Sequence, residues 1–544
     1  MRIQPHSAQR CANTTGSGFK IALFAATVLM MVPGCRIPAL CCATKGPALP
    51  ADYNGAKSDQ NSSIVGIEEF FNEPLLTQLI SGGLSQNQEL KIQNQEIQIA
   101  GNQIMARRGA YLPFVNVGAG GGFFRNSRFT PAGAAEDQLT YPGGGTFPDP
   151  TPSVGLSANL FWQIDYLRQL RNARDAAIHR YWEAIETRDF LVTRIVAETA
   201  ESYYELASLD RRLDYLNQTI ELQQKSLEVA RAQKEAARGT ELGVQRFLAE
   251  VRKNESQRLV IQQRIIEVEN KINFLVGRYP QAVDRQDWDF IRLDSRVLEV
   301  GMPSEILRNR RDIRAAEREV AASGLDIKVA RANFYPKLAI TAGVGYEAFN
   351  PRYLFDPGAF VANAAGNLVA PLINRKAIRA EYQNANARQI QAIYEYQRTV
   401  LNAFTEVVNS IAKVENYRQS VAIKEEQVKA LESSVDVASG LFQAARPEVE
   451  YKDVLFAQRD LLDARTVLIE TKQQQLSAIV SAYRALGGGT LMRNPDKQEV
   501  VVTELIDEVP PVPENGTEPA PMPPAQPEDA AQKQVQEKQP EEKK

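Results

Sequence analysis

The side chains able to do chemistry are few, and they are poorly placed for it. Of the two histidines, His6 lies in the N-terminal segment and His179 stands alone in an Arg-rich stretch of helical pattern. A lone helical histidine is expected to be solvated, which argues against His-based acid–base work and a His-based metal site. The four cysteines, Cys11, Cys35, Cys41 and Cys42, all precede the body of the chain. They cannot build a disulfide framework or a thiolate metal site inside a core. The run Gly118 to Gly122 has Phe123 where a dinucleotide fingerprint needs its third glycine, and Gly343-Val344-Gly345 fails likewise at Ala348. These glycines read as small residues on curved strands. No cofactor, no metal and no enzymatic activity are expected.

One cysteine is placed for acylation. The apolar run Ile21 to Val32 follows Arg2, Arg10 and Lys20 and is too short to span a bilayer. It reads as the core of a secretory signal. It ends in Val32-Pro33-Gly34-Cys35, which resembles the lipobox of bacterial lipoproteins. The expectation is a signal peptide over 1–34, a lipid anchor on Cys35, and a tether over 35–66 rich in Pro, Gly, Ser and Asn. Mean hydropathy is negative, against a bundle of transmembrane helices. With 63 Lys+Arg against 66 Asp+Glu, nothing suggests nucleic-acid binding.

The elements repeat. Glu89 through Pro113 to Phe123 aligns without a gap with Asp312 through Pro336 to Tyr346. Each copy passes from a polar helix into a strand of strict alternation. Val115, Val117, Ala119 and Phe123 share one face in the first copy; Leu338, Ile340, Ala342, Val344 and Tyr346 share it in the second. The residues between them are small or polar. One apolar face and one small polar face at a period of two is what a membrane β-barrel strand requires. A second strand is expected over 154–162, ending in aromatic residues, and a weaker fourth near 364–372 with Pro371 at its end. Loops fill 126–152 and 349–358.

Long helices carry the strands. A first helix is expected from Glu68 to about Arg108 with a break at Gly82-Gly83. A second runs from Leu167 to about Arg238, breaks at Gly239-Thr240, and returns over 242–276 to stop at Gly277. After a connector containing Trp288, helix is expected over 304–333, then over 376–445. In the last, Ile393, Val400, Val407, Val414, Val421, Val428, Val435 and Phe442 recur every seventh residue, a coiled-coil seam. Arg446-Pro447 breaks it, a return helix covers 451–486, and Gly487-Gly488-Gly489 ends it. The repeats span 67–279 and 305–490, with a connector over 280–304. Nine of the 29 prolines lie between Pro510 and Pro540, so 491–544 reads as a disordered Pro/Glu-rich tail.

Several segments carry a family resemblance. Met302-Pro303-Ser304-Glu305-Ile306-Leu307 followed by Arg310-Arg311-Asp312-Ile313-Arg314-Ala315-Ala316-Glu317 is one. Ala330-Arg331-Ala332-Asn333-Phe334-Tyr335-Pro336 is another. Asp453-Val454-Leu455-Phe456-Ala457-Gln458-Arg459, Tyr483-Arg484-Ala485-Leu486-Gly487-Gly488-Gly489 and Leu170-Arg171-Asn172-Ala173-Arg174-Asp175 complete the set. Together they resemble TolC-like outer-membrane factors, of the lipoprotein type found in resistance–nodulation–division efflux systems. The departures are Arg311 where the family usually has Pro, Gln169 near a common Gly, Pro447 for the usual Gly, Phe456 for a polar or acidic residue, and the tail.

The resemblance implies an α+β membrane channel. Three chains of a homotrimer would close a 12-stranded outer-membrane β-barrel, continuous with a coiled-coil helical barrel in the periplasm. Its tips, with Gly239, Thr240, Val244, Arg446 and Pro447, would dock a periplasmic adaptor bound to an inner-membrane pump. Asp453 matches a position directed to the pore axis, so a threefold carboxylate ring would form the periplasmic gate. Glu450 is a weaker gate candidate and Phe456 an apolar plug. The implied function is a passive efflux duct; the outer-membrane duct of a type I protein secretion system is the alternative.

Overall fold

The computed structural model describes residues 37–489, apart from 57, 59, 143, 287–289, 294–298, 372, 374 and 445–449. Cys35 and the signal segment, Trp288, Arg446, Pro447 and the tail lie outside the described residues. The elements in chain order are α1 (Ile67–Phe71), α2 (Pro74–Gln86), α3 (Gln88–Gly109), β1 (Phe114–Phe124), α4 (Pro131–Glu136), β2 (Thr151–Ile164), α5 (Gln169–Glu235), α6 (Glu241–Val276), α7 (Pro303–Asn309), α8 (Arg311–Ala332), β3 (Lys337–Ala348), β4 (Phe360–Val369), α9 (Lys376–Gln443) and α10 (Tyr451–Ala485).

The duplication is visible element by element. Helices α3 and α8 have 22 residues each, α5 and α9 have 67 and 68, and α6 and α10 have 36 and 35. Even the stops repeat. Helix α6 ends with Gly277 at φ +77, and Arg278 N–H returns to the Asn273 carbonyl at 2.9 Å. Helix α10 is followed by Gly487 at φ +93, and Gly488 N–H returns to the Tyr483 carbonyl at 2.9 Å. Both are the left-handed closure that glycine permits.

Helix α5 is about 100 Å long at ~1.5 Å per residue. Around its middle, α2 packs Leu76, Leu79 and Ile80 against Val192, Ile195 and Tyr203, and Ile67 and Phe71 of α1 lie against the same cluster. Toward its far end the packing is coiled-coil. Val421, Val428 and Val435 of α9 are buried against Leu461, Ala464 and Leu468 of α10. Val407 and Phe442 of the same seam are also buried, while Ile393, Val400 and Val414 are half-buried. Two buried polar contacts tie the helices: Asn254 donates to Gln223 at 2.8 Å and Gln458 donates to Ser226 at 3.0 Å. A hydrogen-bonded polar pair inside an apolar seam penalises any shift in register.

Four expected boundaries move. The chain does not break at Gly82-Gly83, where α2 runs through; Gly82 instead lies close against α6, where a Cβ would meet Val276 Cγ1 at 3.3 Å. The breaks fall at Asn72, left-handed at φ 49, and at Asn87, whose side chain caps α3. The helix expected over 304–333 is split at Arg310. That residue is extended and buried, and it pairs with Asp312 and Glu406 at 2.7 Å each. The fourth strand starts at Phe360, because Phe360 pairs with Tyr346, and it ends before Pro371. The loop after β1 holds α4, capped by Thr130, whose short sequence carried no periodicity to reveal it.

His179 is not the solvated residue expected. Its ring is half-buried between helices, its Nδ1 is out of solvent without a hydrogen-bond partner, and burial first and Arg318 second lower its pKa.

Candidate channel and gate

The sheet is a plain meander, β1-β2-β3-β4, with every neighbouring pair antiparallel. Partners across an antiparallel pair share a face, so register assigns the faces. One face carries the rows Val115–Leu160–Ala342–Ala364, Val117–Ala158–Val344–Ala362 and Ala119–Leu156–Tyr346–Phe360. The other carries Asn116–Asn159–Gly343–Asn363 and Gly118–Ser157–Gly345–Val361. Gly345 is required there, since a Cβ would meet the Leu156 carbonyl oxygen at 2.3 Å. The strands have 10 to 14 residues, enough for a tilted strand to cross a bilayer.

The apolar face is exposed within one chain: Val117 is 73% and Leu368 67% accessible. Trp162 marks its lower margin, donating from Nε1 to the Tyr111 carbonyl at 3.1 Å, with Phe161 and Tyr166 close by in the chain and Tyr335 just before β3, where the Tyr166 hydroxyl donates to the Pro336 carbonyl. Phe123, Phe355 and Phe360 are exposed at the other end. Aromatic residues at both margins of an apolar band are the pattern of a membrane interface. Both edges, β1 and β4, have no partner strand among the described residues. No described helix is long and apolar enough to cross a membrane.

Below the sheet, charge is concentrated between α5 and α8. Arg180 bonds both Glu319, at 3.2 Å, and Asp326, at 2.6 Å. Glu183 faces the same cluster, and burial first, then the Glu319 charge, push its carboxyl up to about 7. Glu186 is buried between Arg311, at 3.1 Å, and Arg314, at 2.7 Å. Among the described residues no group of three or more His, Cys, Asp or Glu could hold a metal ion.

At the far end, the first turn closes differently from the expected Gly239 break. Ala237 takes the left-handed position at φ 55, and Arg238 N–H returns to the Gln233 carbonyl at 2.8 Å. Thr240 then caps α6 through Gly243 N–H at 3.3 Å. Val244 is buried with Val454, Phe247 and Phe442, so it packs the tip from within. Gln233 donates to the Phe442 carbonyl at 2.9 Å, tying the end of α5 to the end of α9.

The gate candidates sit at the start of α10. Asp453 and Glu450 form a reciprocal capping box, and Lys452 pairs with Glu450 at 3.0 Å. Phe456 is exposed, with the Arg459 guanidinium 5.3 Å from its ring centre. Asp453, Phe456, Asp460, Asp463 and Val467 fall on one exposed face at helical spacing. Arg459, Asp460 and Asp463 were not singled out from the sequence, although the spacing that aligns them with Asp453 was legible there.

A family model for outer membrane efflux proteins matches residues 79–278 and 302–488, one match for each copy of the repeat. The solvent efflux pump outer membrane protein SrpC of Pseudomonas putida is 24% identical over 439 residues, covering 80% of this chain and 90% of that protein. The cation efflux system protein CusC of Escherichia coli O6:H1 is 25% identical over 436 residues, covering 80% and 90%. The open-state MtrE outer membrane channel of Neisseria gonorrhoeae has the same fold, with a TM-score of 0.71 at 21% identity, covering 84% of this chain and 98% of that one. Four strands joined to long helices are thus an architecture shared with this channel. The chain belongs to the outer membrane efflux protein family and is an outer-membrane channel of an efflux pump.

Proposed function

We propose that three copies of this chain form a closed barrel of twelve strands, the passive outer-membrane duct of a tripartite efflux assembly. The observation that carries this reading is the sheet with two open edges and one apolar face. Because the meander alternates, β1 and β4 run in opposite directions. The β4 edge of one copy therefore pairs antiparallel with the β1 edge of the next, and closure leaves no edge in lipid. The turn around Gly239 and Thr240, with the segment of the chain that contains Arg446 and Pro447, docks a periplasmic adaptor that joins an inner-membrane pump. Asp453, assisted by Glu450 and Phe456, lines the periplasmic gate. The relatives are named for cargoes as different as solvents and cations, which fits a duct with little selectivity of its own.

Lipidation of Cys35 belongs to the same reading. Ile37 and Leu40 pack against Phe334 and Tyr382, beside the junction where α8 gives way to β3 at Lys337. Ile37, two positions after Cys35 in the sequence, is thus held near that junction. The deciding experiment is the mass of the detergent-solubilised protein by mass photometry. A trimer that requires detergent is expected; a monomer stable without detergent would overturn the barrel.

A further inference from the structure

At the end of the sheet away from the helices, the two connecting loops enclose a cavity of about 560 Å³. Its wall is aromatic. Phe349 lies 5.0 Å from Tyr141, 5.2 Å from Phe147 and 5.6 Å from Tyr353, measured between ring centres. All four rings are only half-buried, so they retain surface toward the cavity. Three carboxylates, Glu136, Glu347 and Asp356, complete the lining, and no Lys or Arg contributes to it. The nearby guanidinium groups of Arg125 and Arg128 are both engaged by Asp149. Glu347 stands on the small polar face of β3, in line with Thr341, Gly343 and Gly345, and meets Ser153 at 3.1 Å.

We propose that this cavity binds a lipophilic organic cation, a drug-sized amine, quaternary ammonium or phosphonium bearing aromatic groups. The face of an aromatic ring is the negative end of its quadrupole and attracts a desolvated cation. Uncompensated carboxylates at the same site add charge complementarity, and the volume suits a drug-sized ligand. A neutral aromatic molecule gains only the apolar part of this, and an anion is repelled. All the walls come from one chain, so the proposal is independent of the number of subunits in the barrel.

The test uses the full chain purified in detergent, titrated by calorimetry with tetraphenylphosphonium and with neutral triphenylphosphine oxide. Detergent alone supplies the blank. Saturable binding of the cation at one site per chain is expected, with the neutral compound weaker. Glu347→Gln, nearly isosteric, weakens the cation about fivefold or more and leaves the neutral compound unchanged. Phe349→Leu weakens the cation to a similar degree, with far-UV circular dichroism as the check on folding. Equal affinity for the two probes, no saturable binding of the cation, or a cation affinity unmoved by Glu347→Gln would each overturn the proposal.

Discussion

The Asp453 carboxylate accepts a hydrogen bond from the backbone N–H of Glu450 at 2.9 Å, closing the first turn of α10. The residue proposed for the gate is therefore also a cap, and a substitution must separate the two roles. Asp453→Asn keeps an acceptor oxygen and removes the charge. In planar bilayers this variant is expected to lose cation preference and to be blocked less by divalent cations from the periplasmic side. Its thermal stability should stay near wild type. Asp453→Ala should lose both and cost about 1 kcal/mol. If Asp453→Asn conducts like wild type while Glu450→Gln does not, the ring belongs to Glu450. If neither changes, Phe456 under Arg459 is the constriction.

The two faces of β3 give a second prediction. Ile340 pairs with Trp162 and Gly366 on the apolar face, whereas the adjacent Thr341 pairs with Phe161 and Ala365 on the other. Arg at position 340 faces lipid beside the margin that Trp162 marks, where the cost is lower than the about 2–4 kcal/mol of the midplane. Ile340→Arg is expected to reduce assembled protein in the outer membrane more than Thr341→Arg does. Quantitative blotting of membrane fractions distinguishes them; a greater loss from Thr341→Arg would mean the faces are reversed, and equal loss that neither face is set apart by lipid.

The legible parts of this fold were those where one periodicity dominates. Strands β1 and β3 alternate strictly, and their register in the sheet keeps Val117 beside Ala158 and Val344 beside Ala362. Strand β4 is Ala, Asn and Gly through its middle, so its start is set by the pairing of Phe360 with Tyr346, a relation between distant residues. Gly82 and Gly83 look like a helix break locally; the close approach of Val276 of α6 to Gly82 is a relation between distant residues. Arg310 interrupts a helical pattern because Glu406 and the Ala485 carbonyl, both far along the chain, hold its side chain. The capping box of Asp453 and Glu450 lies within one short segment, whereas the burial of Val244 depends on Phe442 and Val454, far along the chain.

The first tip carries a backbone strain that can be relieved. Ala237 adopts φ 55, a conformation that costs a residue with a Cβ about 1 kcal/mol relative to glycine. Its N–H bonds the Lys234 carbonyl at 3.0 Å, so the conformation is fixed by the turn. Ala237→Gly should slow amide exchange in the turn over 233–240 without altering the rest of α5. Faster exchange there would show that the lost constraint on the unfolded turn outweighs the relieved strain.

The last prediction concerns pH. Glu183 of α5 is pushed up to about 7 by its burial and by Glu319 of α8, to which its protonated form bonds; Arg180 opposes the shift but is itself held by Glu319 and Asp326. Below the ordinary carboxylate range, folded and unfolded chains both carry the proton and the site is neutral to stability. As pH rises from about 4.5 to about 7, the unfolded chain releases the proton first, so stability falls across that window. Above it the penalty is complete and flat. Glu183→Gln removes the titration and keeps the shape. The variant should match wild type at pH 4 and exceed it at pH 8 by about 1–2 kcal/mol, allowing for solvent screening at the exposed edge of the group. Thermal melts of the detergent-solubilised proteins at pH 4, 6 and 8 measure this directly. A stability difference that is the same at all three pH values would show that Glu183 does not hold its proton in the folded state.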